Sequence, residues 1–269
     1  MTKQPDLATA FHQLHAGPDV LLLANAWDAG SARLIESLGA RAIATTSAGV
    51  AWAHGYPDGD ALPTSLVLAT TEAIARVIRV PLTVDIEGGY SDDAATVGRL
   101  IGALIEAGAV GVNLEDGGGS PDLLCAKIAA ARKVADGLGV SLYINARTDV
   151  FLRELVPAAD RVAETCARAA RYRAAGASGI FVPRAAEPAA ITAIAREVVL
   201  PLNVMSWPGL APAPELAALG VRRLSAGASI AQAVASRAAA LATAFLRDGA
   251  REAGTERAYA HRDLNALFG

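Results

Sequence analysis

Short apolar runs alternate with longer helical patterns along the whole of this 269-residue chain. In four places a helical pattern ends at a glycine and a short apolar run follows, as in IEAGAVGVNLED at 105–116. Glycine suits the end of a helix because it adopts the left-handed C-cap conformation without steric cost. Strands that alternate with helices in this way predict parallel βαβ units.

The pattern predicts eight strands, at 20–25, 41–47, 81–86, 109–115, 141–147, 178–183, 200–205 and 221–226. Helices are predicted at 29–38, 65–79, 92–107, 121–137, 158–175, 187–198, 213–219 and 228–247, with a further piece at 255–267. Eight βα units without a linker favour one (β/α)8 barrel domain over residues 1–269. An open doubly wound sheet, the alternative, would need a GxGxxG fingerprint after its first strand, where the chain has ANAWDAGSA.

Composition excludes several classes of protein. Hydrophobic residues make up 53% of the chain and charged residues 19%, which indicates a globular domain with a large core. The net charge of −3 gives no basic surface for nucleic acid. Neither a signal peptide nor an unbroken apolar stretch of about 18 residues occurs, so no membrane span is expected. Cys125 and Cys166 fit small buried residues in a reducing cytoplasm.

Charged side chains gather where the predicted strands end, which is the catalytic face of an α/β barrel. Asp85 and Glu87 end the third strand in PLTVDIEGGY, Glu115 ends the fourth, and Arg147 ends the fifth. Side chains two positions apart on a strand share a side, so Asp85 and Glu87 are expected to face the barrel mouth together.

Three carboxylates brought together repel each other, and a cation among them relieves the repulsion. Oxygen ligands without histidine or cysteine suit Mg²⁺, with Mn²⁺ as an alternative. Arg147 would then be a fixed positive donor for an anionic substrate. The competing interpretation is that the three acids form salt bridges with Arg147. The residues alone indicate a divalent-metal barrel enzyme that acts on an anionic substrate.

Five segments in order, NAWDAGSARL, AIATTSAGVAWAHGYPD, VDIEGGY, GVNLEDG and INARTDVF, resemble the isocitrate lyase / phosphoenolpyruvate mutase superfamily. The resemblance covers roughly residues 20–230, and its strength lies in the ordered set of segments. It implies a (β/α)8 barrel that binds 2-oxo acids or their enolates on Mg²⁺. It also implies a homo-oligomer, a dimer or a tetramer, with a C-terminal helix exchanged between subunits.

The resemblance also implies a metal site. Asp85 would contact the metal most directly, and Glu115 would act through a water on the metal. Glu87 stands where the family commonly has aspartate, so its longer side chain could alter the water shell of the metal. Asp58, in GYPD after the second strand, matches another acid of the metal site and is also a candidate catalytic residue.

For the substrate, the resemblance points to the second and fifth strands. Thr46, Ser47 and Ala48 match the stretch whose backbone amides and hydroxyl hold the substrate carboxylate and carbonyl oxygen. Arg147 matches the arginine that stabilises the enolate, and Thr46 and Arg147 are the further catalytic candidates. Asn203, on the seventh strand, is expected either to bind a distal carboxylate of the substrate or to be a buried structural residue.

The segment after the fourth strand differs from that of the lyases in this family. The lyases carry a Lys-Lys/Arg-Cys-Gly-His motif there, and its cysteine is catalytic. This chain has GGGSPDLLCAKI there, and Cys125 lies further on, within a helical pattern. We expect Cys125 not to be catalytic. The lysine- and asparagine-bearing loop of the mutases and phosphonopyruvate hydrolases is missing as well. Beyond the sixth strand, Arg184 is expected to pair with Glu187, with a substrate carboxylate as the alternative.

These groups predict a Mg²⁺-dependent carbon–carbon lyase or decarboxylase. Its substrate would be a small 2-oxo or 2-hydroxy di- or tricarboxylic acid that reacts through a metal-stabilised enolate. Two alternatives stay open. One is a phosphonopyruvate-type hydrolase or mutase that acts on a phosphorus–carbon bond, and the other is a 2-oxo acid binding protein without turnover.

Overall fold

The computed structural model describes residues 4–249 and 259–268. Its strands form one all-parallel sheet, made of β1 (Leu21–Leu23), β2 (Asn25–Ala26), β3 (Ile43–Thr45), β4 (Leu82–Asp85), β5 (Gly111–Glu115), β6 (Tyr143–Arg147), β7 (Gly179–Phe181), β8 (Leu202–Met205) and β9 (Val221–Ser225). β1 pairs with β9 while β2 pairs with β3. Because only Ala24 separates β1 from β2, they are two halves of one strand, and the sheet closes into the predicted barrel.

Helices follow the strands around the barrel. They are α1 (Gln4–Ala16), α2 (Ala29–Ser37), α3 (Ser47–Ala53), α4 (Thr64–Val77), α5 (Ala94–Glu106), α6 (Pro121–Gly137), α7 (Arg161–Ala175), α8 (Pro188–Glu197), α9 (Ala213–Ala218), α10 (Ser229–Asp248) and α11 (His261–Asn265). Local sequence sets their ends. Asp93 accepts hydrogen bonds from the first turn of α5, and Gly176 ends α7 with a φ of +113°.

The first helix, α1, closes one end of the barrel. Its Phe11 side chain is buried against Gly111, the first residue of β5, where an added Cβ would lie 2.7 Å from the ring. Its His15 ring stacks on Tyr143, the first residue of β6, with centroids 3.9 Å apart. The opposite end, at the carboxyl ends of the strands, is the face on which α/β barrels carry their active sites.

The structure differs from the prediction after the second predicted strand. The strand predicted at 41–47 ends at Thr45, and helix α3 begins two residues later. This helix was not predicted because SAGVAWA is too short and too uniformly apolar to show a helical period. Of the helical piece predicted at 255–267, only the part from residue 259 lies within the described residues, where α11 forms.

Helix α10 lies on the outside of the barrel and is largely exposed, with Val234 and Phe245 open to solvent. By length and composition alone, Ser229–Arg247 is apolar enough to cross a membrane, which the sequence pattern did not predict. The prediction required an unbroken apolar run, and Gln232 and Arg237 interrupt this one. A single helix of this kind is weak evidence for a membrane. Exchange of a helix between subunits stays a prediction.

Candidate active site

Strand register arranges the candidate residues in two rows on the inner face of the barrel. Asp85 on β4 is the register partner of Asn113 on β5, which is in turn the partner of Asn145 on β6. Two residues further along, Glu115 on β5 is the partner of Arg147 on β6. Residues in register on parallel strands point to the same face, so the second row stands above the first at the barrel mouth.

Arg147 is held between two carboxylates. Its Nη1 lies 2.6 Å from Oε2 of Glu115. On its other side, Nε and Nη2 donate to the two carboxylate oxygens of Asp149 at 2.7 and 3.1 Å. Burial alone would lower the pKa of Arg147, but Glu115 and Asp149 together raise it, so the guanidinium stays charged. This bidentate geometry gives Arg147 one fixed orientation.

Asp149 is itself fixed from behind. Its side chain is fully buried, and its backbone N–H donates to Oδ1 of Asp116 at 2.9 Å. The other oxygen of Asp116 accepts from Arg168 at 2.8 Å and from the Tyr172 hydroxyl at 2.6 Å. Helix α7 supplies Arg168 and Tyr172, so the position of Arg147 is tied to the outer layer of the barrel.

Glu115 is a buried carboxyl with an elevated pKa. Burial raises its pKa to about 8, and Asp85, Asp149 and Glu87 add to the rise, while Arg147 opposes it. Its Oε2 has no hydrogen bond within the described residues, although the Arg147 guanidinium is close by, so the contact is ionic. A carboxylate oxygen has more than one lone pair, so Oε2 can accept a proton or contact a cation in addition to Arg147.

Glu87 adopts a left-handed backbone conformation, with φ +50°, at the turn after β4. Its Oε2 accepts hydrogen bonds from the backbone N–H groups of Gly59 at 2.8 Å and Asp60 at 2.5 Å. Its Oε1 is buried and has no hydrogen-bond partner among the described residues. Burial, followed by the nearby acids, raises its pKa to about 7. Strain at a non-glycine residue of this kind often marks a functional position.

Asp85 and Asp58 complete the acidic group. Burial raises the pKa of Asp85, whereas Arg147 and the Asn113 amide lower it. Its backbone N–H donates to the Thr45 hydroxyl at 2.8 Å, which ties β4 to β3. Asp58 is exposed on the loop between α3 and α4, and its charge raises the pKa of both Asp85 and Glu87.

The donor chemistry of this group fits a divalent cation. Oε1 of Glu87 and Oε2 of Glu115 are buried without a hydrogen bond among the described residues, although Oε2 of Glu115 contacts Arg147. The acids also raise one another's pKa, and a cation relieves this repulsion. All donors are hard oxygens, which suits Mg²⁺. Across residues 4–249 and 259–268, however, no three acid, histidine or cysteine side chains already form a metal cage. Of the acids predicted to pair with Arg147, Glu115 alone does so within the described residues.

Thr46, Ser47 and Ala48 lie at the N-terminus of α3. Thr46 is the N-cap residue, and its buried side chain makes no capping hydrogen bond. The first turn of a helix leaves backbone N–H groups without intrahelical partners, which suits an anionic ligand. Contact of these residues with a substrate carboxylate stays a prediction.

Two predicted substrate contacts have other partners in the structure. Asn203 lies in the barrel interior, where its side chain bonds to Asn145 at 3.0 Å and to Ser225 at 3.2 Å. Its role in substrate binding stays a prediction. The pairing of Arg184 with Glu187 was wrong: no such ion pair occurs in the described part of the chain, and the guanidinium lies over the Trp207 ring, 4.0 Å from its centroid. Arg184 itself has a left-handed backbone conformation, with φ +68°.

A cavity of about 420 Å³ opens beside the acids. It is lined by Glu87, Glu115, the Gly117–Gly119 segment, Lys127 and Arg153, among others. Cys125 is absent from this lining and lies half-buried on α6, where burial raises its pKa and disfavours the thiolate. The expectation that Cys125 is not catalytic stays a prediction.

Sequence reasoning missed three residues around the site, namely Asn113, Arg153 and Arg223. Asn113 could have been found, since it lies two positions before Glu115 and must share its face. Arg223 lies in the strand segment VRRLS, where successive side chains also alternate between the two faces. The sequence does not tell whether Arg222 or Arg223 points into the barrel. Arg153 lies on a loop whose course the sequence does not determine.

Comparison with known proteins agrees with the motifs. The family model for phosphoenolpyruvate phosphomutase matches residues 11–246. An uncharacterized protein of Mycobacterium tuberculosis is 36% identical over 245 residues, which are 89% of this chain and 90% of that protein. An oxaloacetate decarboxylase of Paraburkholderia xenovorans is 31% identical over 223 residues, covering 78% of this chain and 72% of that enzyme. A crystal structure from Burkholderia cenocepacia, of a protein proposed to be a lyase or mutase, superposes with a TM-score of 0.89 at 35% identity and covers 99% of this chain and 96% of that one.

The fold is thus a parallel α/β barrel with acids and Arg147 at the carboxyl ends of its strands. The chain belongs to the phosphoenolpyruvate phosphomutase family, within the isocitrate lyase / phosphoenolpyruvate mutase superfamily, as its motifs predicted. Members of this superfamily include lyases and decarboxylases, and they typically depend on Mg²⁺.

Proposed function

We propose that this protein is a Mg²⁺-dependent carbon–carbon lyase, and in particular a decarboxylase, for a small 2-oxo dicarboxylic acid. One observation carries the proposal: Arg147 is held in a single orientation by Asp149, beside Glu115 and above the row that contains Asp85. A fixed, permanently charged guanidinium at this point can stabilise negative charge that develops on a substrate. Several oxaloacetate decarboxylases among the relatives support the same reaction class.

The roles of the residues follow from their positions. Asp85, Glu87, Glu115 and Asp58 would hold Mg²⁺, which withdraws electrons from a 2-oxo carboxylate when it is bound. The amides at the start of α3 would hold the substrate carboxylate. Arg147 would stabilise the oxyanion of the enolate that remains when carbon dioxide leaves C3.

Decarboxylation requires fewer catalytic groups than cleavage of a 2-hydroxy acid. The bond to the C3 carboxylate breaks, its electron pair enters the enolate, and a proton from water then gives the 2-oxo monoacid. Cleavage of a 2-hydroxy acid would additionally need a base for its hydroxyl group. The chain lacks the Lys-Cys-Gly-His segment that carries the acid/base cysteine in the family's lyases, and Cys125 is outside the cavity lining. The reaction that needs no such group is therefore favoured.

A turnover screen tests the proposal. The protein with Mg²⁺ is offered oxaloacetate, isocitrate, 2-methylisocitrate, dimethylmalate and phosphonopyruvate, and 2-oxo acids and phosphate are measured against a protein-free Mg²⁺ control. We expect the protein to convert oxaloacetate to the 2-oxo monoacid. Chelation of Mg²⁺ should abolish this product, and so should Asp85→Ala. Asp122→Ala, on the exposed face of α6, is the matched acid control and should keep full activity.

Other outcomes of the screen point to the alternatives. Full activity in Asp85→Ala would contradict the proposed metal site. Phosphate release from phosphonopyruvate would identify a phosphorus–carbon bond enzyme. Saturable, Mg²⁺-dependent binding of 2-oxo acids without any product would identify a binding protein.

A further inference from the structure

Asp149 binds a second arginine besides Arg147. Nε of Arg153 donates to Oδ2 of Asp149 at 3.0 Å, while Nε of Arg147 donates to Oδ1 of the same carboxylate. Asp149 is fully buried, whereas 57% of the Arg153 side chain is exposed. One buried carboxylate therefore sets the positions of two guanidinium groups at the barrel mouth.

Arg153 faces the cavity beside Glu87 and Glu115 and lines it together with these two acids. Its aliphatic stem lies against Gly118, where an added Cβ would be 3.6 Å from Cδ of Arg153. Gly118 belongs to the glycine-rich segment at the place where the lyases carry their cysteine motif, and its φ of +149° favours glycine. The segment and Arg153 thus form one wall of the cavity.

The other cations near this cavity are already engaged. Nζ of Lys127 donates to the carbonyl of Gly88 at 2.7 Å and lies 3.6 Å from Asp92. Arg184 stacks on Trp207 and does not belong to the lining. In the described part of the chain, the ion pair of Arg153 runs through Nε alone. Its two terminal nitrogens therefore remain available to an anion in a cavity whose other charged walls are mostly acidic.

From this arrangement we propose that Arg153 binds the distal carboxylate of a dicarboxylic substrate and so selects diacids over monoacids. The inference rests on the proposed function, because it needs the other end of the substrate at Arg147 and the acids. A guanidinium fixed through Nε presents its remaining nitrogens as a fork, which matches the geometry of a carboxylate. Glu115 and Arg147 would receive the 2-oxo carboxylate end of the substrate, and Arg153 would orient the C3 carboxylate that leaves as carbon dioxide.

Paired ligands test the selectivity directly. Malate and lactate differ by the distal carboxylate alone, and their binding in the presence of Mg²⁺ is measured by titration calorimetry. We expect wild type to bind malate more tightly, and Arg153→Met to weaken malate binding about 10- to 100-fold while lactate binding is unchanged. Arg153→Lys should retain part of the preference, because it keeps the charge and loses the fork.

Arg184→Met is the matched control, since it removes another exposed arginine from the loops on the same face. It should leave both affinities unchanged. A loss of malate binding in Arg184→Met but not in Arg153→Met would overturn the proposal. So would an equal loss for both acids in Arg153→Met, which would show that Arg153 acts through Asp149 and Arg147 instead. Thermal unfolding of each variant confirms that the compared proteins are folded.

The test separates this inference from the proposed function. Wild-type protein that binds malate and lactate equally and still decarboxylates oxaloacetate would refute the role of Arg153 alone. Wild-type protein that neither binds these acids nor turns over any substrate of the screen would refute the proposed function itself.

Discussion

Asp85 and Asn113 lie side by side on β4 and β5, and the Asn113 amide has a defined orientation. Its Oδ1 accepts hydrogen bonds from Asn145 at 2.9 Å and from Arg223 at 3.1 Å. Arginine can only donate, so this side of the amide must be the oxygen. The amide nitrogen is then left to donate to Asp85, which lowers the pKa of that carboxyl. The buried Arg223 thus orients Asn113, which is the neighbour of Asp85.

Replacing Asn113 should therefore weaken metal binding. In Asn113→Leu, Asp85 loses the donor that holds it, and we expect Mg²⁺ affinity to fall by about 10-fold or more, as is typical when the support of a metal ligand is removed. Arg223 and Asn145 would each lose an acceptor, so the free energy of unfolding should fall by about 1–3 kcal/mol. Calorimetry and urea unfolding measure the two effects.

The control for Asn113→Leu is Tyr143→Phe. The Tyr143 hydroxyl is buried in the same interior without a hydrogen-bond partner among the described residues. Its removal should change Mg²⁺ affinity little, since Tyr143 is not among the groups that act on Asp85. Unchanged Mg²⁺ affinity in folded Asn113→Leu would show that Asp85 does not depend on this amide.

Arg147 should contribute to the chemical step more than to binding. Arg147→Lys keeps a positive charge but loses the two-point contact with Asp149, so the charge is no longer fixed in place. We expect kcat for the substrate found in the screen to fall by about 10²–10³-fold, with a smaller change in KM. Steady-state kinetics check this, and a variant with raised KM but normal kcat would assign Arg147 to ground-state binding instead.

Much of the barrel and part of its site follow from local sequence. Short apolar runs between helical patterns predict the eight strand positions, and the alternation of side chains along a strand predicts that Asp85 and Glu87 share one face. The interior network does not follow in the same way. Asn145 reaches Asn203 on β8 past Gly179, the register partner of Asn145 on β7. A contact that skips a strand depends on closure of the sheet, which no local pattern encodes.

The stacking of Arg184 on Trp207 escaped prediction for a related reason. The predicted partner, Glu187, is the N-cap residue of α8 and has an extended conformation. Arg184 has left-handed backbone geometry, so its side chain leaves in another direction. The sequence could not indicate that Trp207, from the next βα loop, would be nearby.

Stability of the metal-free protein should fall as pH rises from about 5 to 8. Burial raises the pKa of Glu87 to about 7 and that of Glu115 to about 8, from an ordinary value of 4.5. In the unfolded chain both groups ionise near the ordinary value, while the folded protein keeps its protons to higher pH. The contribution of the Glu87 and Glu115 carboxyl groups to the free energy of unfolding is therefore complete below about pH 4.5. It is lost as pH rises through their folded-state pKa values of about 7 and about 8.

Urea unfolding at several pH values between 5 and 8 checks this dependence. The double variant Glu87→Gln and Glu115→Gln should flatten the curve, because neither side chain can then ionise. Glu72→Gln, an exposed position on α4, should leave it unchanged. Mg²⁺ should restore stability at the higher pH, since a cation favours the ionised carboxylates. A wild-type curve that rises over this range would contradict the elevated pKa values.

Gly49, in the first turn of α3, is closely packed against the residues before the helix. A Cβ at this position would lie 2.7 Å from Cγ2 of Thr46 and 2.9 Å from Cβ of Trp27, so Gly49→Ala must displace the N-cap residue of α3. We expect Gly49→Ala to lower the free energy of unfolding by about 1–3 kcal/mol, as for other overpacked sites. Because the amides proposed to hold the substrate carboxylate start this helix, KM should rise as well.

Gly98→Ala is the matched control, since it makes the same chemical change inside α5. Its nearest neighbour would be Cγ2 of Val134 at 3.5 Å, an ordinary van der Waals distance. Alanine favours helix over glycine by about 0.5–1 kcal/mol, so this variant should be as stable as wild type or more stable, with unchanged KM. If Gly49→Ala behaved like Gly98→Ala in unfolding and kinetics, the close packing of α3 against Thr46 and Trp27 would not constrain the site.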